Sequence, residues 1–167
     1  MRIIWRSCVI FIHNKKLICV FIPDCVIGHK AYLIQCTDEP LWYCPQERFV
    51  IFPNEIHVSH SMRTLLNKGK YDVSIGRDFN GVIRGCSTAD GRFDANGAWL
   101  GHDIIEAYTE LHRQNLAQSV EVWEGDRLVG GLYGVPIGRC FIGESMFSLV
   151  PSASKIAMIF LAEFMQE

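Results

Sequence analysis

The sequence predicts an α+β fold, and three observations carry that prediction. Apolar side chains recur with helical spacing at residues 79–86 and 104–111. Between residues 119 and 143, strand-like runs follow one another across tight, glycine-containing turns. The chain of 167 residues is 49% apolar and 20% charged, which supplies a core and argues against wholesale disorder. Sixteen Lys and Arg against eighteen Asp and Glu leave a formal charge of -2, excluding a strongly basic composition of the histone kind. A local nucleic-acid surface survives that arithmetic, because binding depends on where charges sit.

Residues 1–40 read as a loose β layer. Apolar runs at residues 8–12 and 17–22 flank His13-Asn14-Lys15-Lys16, the pattern of a hairpin, and a short stretch follows at residues 31–36. Both runs fall short of the roughly 20 residues a membrane span needs. No small-residue cleavage pattern follows the first, so the expectation is a cytoplasmic protein. The seven cysteines contain no C-x-x-C pair, which points to small core residues in a reducing compartment rather than a disulfide framework or a four-cysteine zinc site. Residues 37–48, with two prolines and Leu41-Trp42-Tyr43-Cys44-Pro45, read as an aromatic-bearing loop.

Residues 49–52 are apolar, and 56–58 suggest a short strand. Ser61 can cap a helix whose Met62, Leu65 and Leu66 face inward and which Gly69 stops. Tyr71, Val73 and Ile75 alternate with polar residues as a half-buried strand does. Asp78 is placed to cap a helix carrying Phe79, Val82, Ile83 and Cys86. Residues 87–97 form a polar loop, and Asp103 with Glu106 resembles a capping box ahead of the Ile104, Ala107, Tyr108, Leu111 stripe. Segments 119–123, 127–135 and 139–143 predict an antiparallel meander. Ser152 or Ser154 then starts an apolar helix through Phe164 that needs burial on almost every face. The division expected is a small β-containing part at 1–60 and a mixed part at 61–167.

The densest chemical constellation is the glycine-rich stretch 128–135 followed by Gly143-Glu144-Ser145-Met146-Phe147. Glu144 there suits a carboxylate that orients or deprotonates an amine, and equally a turn cap among core residues. Ser145 lies outside a G-x-S-x-G elbow, and Ser154-Lys155 is not S-x-x-K, so hydrolase chemistry has no support. Trp42, Tyr43, Trp99 and Tyr108 offer flat surfaces for an adenine or an apolar pocket, or ordinary core. Basic residues 63, 68, 70, 77, 84, 113, 127 and 139 make either a modest phosphate patch or a scattered solvated surface. Histidines 57 and 60 with Cys44 lack a metal-ligand spacing, so no metal is expected.

As a set, several segments resemble the leucyl/phenylalanyl-tRNA-protein transferase family. They are Trp42-Tyr43-Cys44-Pro45 with Arg48, Ser59-His60-Ser61-Met62, Trp99-Leu100, and Glu106-Ala107-Tyr108 with Leu111-His112. The series continues through Ser119-Val120-Glu121-Val122-Trp123, residues 128–135, and residues 143–148 with Ala153-Ser154-Lys155. The resemblance runs from about residue 38 onward in the family's order. Residues 1–36 resemble neither the glycine-rich stretch nor the Gly-Ile-Phe-Pro-Trp segment of the family's N-terminal module. The sequence also stops before the family's Asp-x-Gln strand, so the resemblance implies a GNAT-like acyltransferase domain lacking its last strands.

The implied activity is transfer of leucine or phenylalanine, less readily methionine, from aminoacyl-tRNA to a protein's N-terminal Arg or Lys, feeding N-degron proteolysis. The alternatives are a remnant that only binds aminoacyl-tRNA or peptide, and a non-functional gene fragment. By resemblance Glu144 is catalytic. Trp42, Trp99, Tyr108, Leu132, Phe141, Ser145 and Met146 bind substrate, with Trp99 and Tyr108 at the aminoacyl-adenosine end and Leu132 and Phe141 shaping the donor pocket. The resemblance implies a monomer away from membranes that uses aminoacyl-tRNA as co-substrate and no cofactor.

Overall fold

The computed structural model describes residues 50–88 and 100–166 in full, with the backbone of Val9–Ile12, Tyr32–Ile34, Leu41–Tyr43, Phe49, Phe93–Asp94 and Gly97–Ala98. The elements run β1 (Val9–Ile12), β2 (Tyr32–Ile34), β3 (Leu41–Tyr43), β4 (Phe49–Ile51), a 3-10 turn (Pro53–Glu55), α1 (His60–Asn67), β5 (Asp72–Ile75) and α2 (Phe79–Thr88). They continue with β6 (Phe93–Asp94), β7 (Gly97–Ala98), α3 (His102–Arg113), β8 (Gln118–Glu124), β9 (Arg127–Ile137), β10 (Cys140–Ser148) and α4 (Ala153–Phe164). This is an α+β arrangement.

A six-stranded sheet ordered β4-β1-β10-β9-β8-β5 organises it. β8, β9 and β10 form the expected antiparallel meander, and β5 adds antiparallel to β8. On the other side β1 pairs antiparallel with β10 and parallel with β4. The second arm of the expected N-terminal hairpin, residues 17–22, lies outside the described residues. Among the described residues, no helix is long and apolar enough to cross a membrane.

Each face of the sheet carries its own core. Val120, Val122, Val129, Leu132 and Phe141 pack with Met62 of α1 and with Ile156, Ile159 and Leu161 of α4. On the opposite face Tyr133 and Phe147 pack with Phe79, Val82 and Ile83 of α2 and with Ile104 and Leu111 of α3. Strand residues alternate between faces with period two, so Phe141 and Phe147 on an even strand would share a face. They do not, because the β9–β10 register shifts between Gly143 and Ser145, leaving Glu144 as the extra residue of a bulge. A second shift, between Val122 and Trp123 of β8, sets Val129 as the extra residue on β9.

Several local expectations are corrected. α1 is capped by Ser59, not Ser61: the Ser59 hydroxyl accepts from the Met62 N–H at 3.4 Å, while Ser61 sits inside the first turn. α3 begins after Gly101 with no side-chain cap, so Asp103 and Glu106 form no capping box. Glu106 instead lies 3.7 Å from His102 one turn earlier, and Ala107 is exposed. α4 takes its cap from outside the predicted pair: the Ser154 N–H donates to the Ser148 hydroxyl at 2.8 Å, and Ser152 adopts a left-handed conformation. Residues 56–58 are not a strand, Leu41–Tyr43 is a strand rather than loop, and β6–β7 forms a small hairpin within the expected polar loop. Ile75 is exposed rather than inward-facing, and Phe164 on α4 is 53% exposed. Asp78 behaves as expected, accepting from the Gly81 N–H at 2.8 Å at the start of α2.

Candidate active site

Glu144 owes its placement to the bulge. On either side of it, Gly143 stands opposite Gly134 and Ser145 opposite Tyr133, so the β9 partner of Glu144 is skipped and the strand bends there. The residue is half-buried. One rank of side chains, on the α4 face, is Val120, Leu132 and Met146; the other, on the α2–α3 face, is Ser119, Tyr133 and Ser145. The extra residue therefore puts Met146 on the same face as Phe141, and Ser145 on the face of Tyr133.

Phe141, Leu132 and Met146 are brought to the α4 side, where Leu132 is packed into the core. Phe141 reaches it over Gly134, where any Cβ would collide with the Ile142 carbonyl and stand 2.6 Å from the Phe141 ring. Phe141 also lines a cavity of about 420 Å³ with Val120, Pro136, Cys140, Leu161 and Phe164. That cavity opens at the β9–β10 hairpin end, and of the substrate-binding set only Phe141 borders it among the described residues. Burial pushes the Cys140 thiol upward, which disfavours the thiolate and suits a wall residue rather than a nucleophile.

Tyr108 lies on the other face. It meets Tyr133 edge-on at 5.2 Å, and Tyr133 meets Phe79 edge-on at 5.8 Å. Phe79 in turn stacks flat on His112 at 4.4 Å, whose Nδ1 is 2.9 Å from the Ala117 carbonyl. Tyr108 is thus held by a file of rings, with Ser145 next to Tyr133 across the sheet. Trp42 lies on β3 opposite Leu33, and Trp99 lies outside the described residues. Among the described residues, no three His, Cys, Asp or Glu side chains gather as a metal would require.

One polar cluster was not singled out from the sequence. Glu121 is fully buried. Its carboxylate accepts from the Ser119 hydroxyl at 2.5 Å, the Ser74 hydroxyl at 2.6 Å and the Arg77 backbone N–H at 3.2 Å. The Trp123 indole donates to Ser74 at 2.9 Å, and the Arg77 guanidinium lies 4.3 Å from the centre of the Trp123 ring. The signal was present in the alternation Ser119, Glu121, Trp123, which puts all three on one strand face. A glutamate in the middle of a central strand demands partners.

The described residues thus form an α+β domain with a half-buried glutamate on a strand bulge, with an apolar rank on one face of the sheet and aromatic and hydroxyl groups on the other. The family model described as leucyl/phenylalanyl-tRNA protein transferase matches residues 50–167. A leucyl/phenylalanyl-tRNA–protein transferase of Syntrophus aciditrophicus is 49% identical over 126 residues, covering 75% of this chain and 52% of that protein. Relatives of the same name from Thermodesulfovibrio yellowstonii and Flavobacterium johnsoniae are 50% and 47% identical over 123 and 127 residues, covering 74% and 76% of this chain. The chain belongs to the leucyl/phenylalanyl-tRNA–protein transferase family. It spans about half the length of the curated relatives it matches, 52% and 50% of the first two.

Proposed function

We propose that this chain serves transfer of leucine or phenylalanine, and less readily methionine, from aminoacyl-tRNA to the α-amine of an N-terminal Arg or Lys. In this reading the reaction takes place in the cytoplasm and creates an N-degron. The observation that carries the proposal is family membership across residues 50–167, with Glu144 on its bulge inside the matched region. The meander followed by α4 supports a GNAT-like scaffold in which aminoacyl-tRNA takes the place of an acyl-coenzyme donor.

The chemistry is aminolysis of an ester. The neutral α-amine attacks the aminoacyl carbonyl carbon, a C–N bond forms, the ester C–O bond breaks, and the ribose hydroxyl leaves with the proton that the amine gives up. The acceptor's ammonium first gives one proton to solvent; Glu144 would then orient the neutral amine, take the proton it releases as the C–N bond forms, and hand that proton to the departing ribose oxygen. Phe141, Leu132 and Met146 provide an apolar side suited to the donor's side chain. Such a surface rejects charge strongly and separates leucine from phenylalanine or methionine weakly, since apolar shape differences are worth only about 1–3 kcal/mol. Tyr108, Ser145, Trp99 and Trp42 would hold the adenosine end and the reacting ester.

The test is transfer of radiolabelled leucine from charged tRNA to an Arg-initiated peptide by this chain. Glu144→Ala should lower the rate by roughly 100-fold or more while leaving the circular dichroism spectrum unchanged. Binding of charged tRNA without product by folded protein would favour the binding-only reading, and transfer insensitive to Glu144 would remove its catalytic assignment.

A further inference from the structure

The buried Glu121 cluster does more than satisfy its own hydrogen bonds, because it fixes an exposed cation. Arg77 lies between Gly76, whose N–H donates to the Ser119 carbonyl at 3.0 Å, and Asp78, which caps α2. Gly76 has φ of +66°, a left-handed turn that reverses the chain after β5. The Arg77 N–H is held by Glu121, and the guanidinium lies 4.3 Å from the centre of a Trp123 ring that is itself buried and tied through its indole N–H to Ser74. The backbone N–H and the guanidinium of Arg77 are therefore both in contact with one hydrogen-bonded cluster.

Ordinary exposed arginines are mobile and lose rotamer freedom when they bind. In Arg77 much of that loss has already been met by folding, which favours binding by pre-organisation. Arg77 is exposed although its guanidinium lies over the indole, and a guanidinium is a fork suited to phosphate. Among the described residues no carboxylate forms an ion pair with it.

We infer that Arg77, whose guanidinium lies over the Trp123 ring, contacts a backbone phosphate of the donor tRNA. The inference rests on the proposed function for the identity of the polyanion. The two substrates of that reaction carry opposite charge: the acceptor presents an N-terminal Arg or Lys, which Arg77 repels, and the tRNA presents phosphates, which it attracts. Glu121, Ser74 and Trp123 are positioning residues for this contact.

The experiment is equilibrium binding of uncharged tRNA to the chain over a series of salt concentrations, for wild type, Arg77→Ala, Arg77→Lys and Arg84→Ala. Arg84 is exposed and serves as a charge-matched comparison. Arg77→Ala should weaken binding and reduce the slope of log K against log salt by about one. Arg77→Lys should keep most of the slope while losing part of the affinity, because the charge remains and the fork is gone. Arg84→Ala should change both less. If wild type binds and Arg77→Ala matches it in affinity and slope, the contact is refuted while the proposed function stands. Equal effects of Arg77→Ala and Arg84→Ala would refute it in favour of diffuse charge. Absence of tRNA binding by folded wild type would overturn both readings, and a defect of Arg77→Ala confined to the peptide KM would overturn this one alone. Thermal melts of each variant verify folding, which replacement of exposed side chains should leave intact.

Discussion

Glu121 and Glu144 stand two strands apart, the first fully buried and the second half-buried on a bulge. Glu121 is wholly buried, with three donors aimed at it, which makes it an anchor rather than a reagent. Glu121→Ala would strand two hydroxyls and a backbone N–H in the interior, at about 1–3 kcal/mol for each donor that finds no new partner. Urea denaturation should therefore show a loss of about 3 kcal/mol or more, and a smaller one for Glu121→Gln, whose carbonyl oxygen still accepts. Lys70 illustrates the surface case. Its hydrogen bond to Glu124, 3.0 Å away, raises the lysine pKa above its ordinary value. A raised folded value means that the pair's contribution is present below the ordinary lysine range and is lost as pH climbs through the raised value. Glu124→Gln should flatten that alkaline dependence of the unfolding midpoint and leave neutral-pH stability almost unchanged, as expected of an exposed pair.

At the scale of elements, strand bulges decide which side chains meet. Without the extra residue at position 144, Phe147 would leave the α2–α3 core and turn toward α4. The ladder also demands small residues where the faces close. Gly134→Ala would drive a methyl group against the Ile142 carbonyl, a backbone atom with little room to yield, and to 2.6 Å from the Phe141 ring. A destabilisation of about 1–3 kcal/mol is expected from overpacking, together with a change in the Phe141 environment, read by chemical denaturation and by fluorine NMR of labelled phenylalanine. Gly130 and Gly131 play the same part on opposite faces, against Ala153 and against the Val120 carbonyl.

At the scale of the whole molecule, the sheet separates two cores that, among the described residues, share no member. Ile83→Val in one and Ile156→Val in the other should each cost about 0.5–1.5 kcal/mol. The double variant should equal the sum within about 0.5 kcal/mol, since neither side chain belongs to the other's cluster. A larger coupling in urea unfolding would mean that the sheet transmits strain between its faces.

Sequence by itself determined the elements whose evidence is local. The Phe79, Val82, Ile83, Cys86 stripe made α2 readable, alternation and tight turns made β8–β10 readable, and the linear order of short segments was enough to place the chain in its family. The same local evidence failed wherever a partner comes from afar. The hydroxyl that caps α4 belongs to Ser148 at the end of β10, and Ile75 follows the alternation of a buried strand yet lies exposed at the sheet's edge. Glu144 was legible as a candidate carboxylate, but its bulge was not, because a bulge exists only relative to the residues that pair across it. Glu121 and Arg77 are separated by 44 positions, and only the pairing of β5 with β8 brings the buried carboxylate beneath the turn that carries the arginine. Periodicity is written along a chain, whereas caps, registers and buried charges are settled between its distant parts, and so tertiary structure alone decided them.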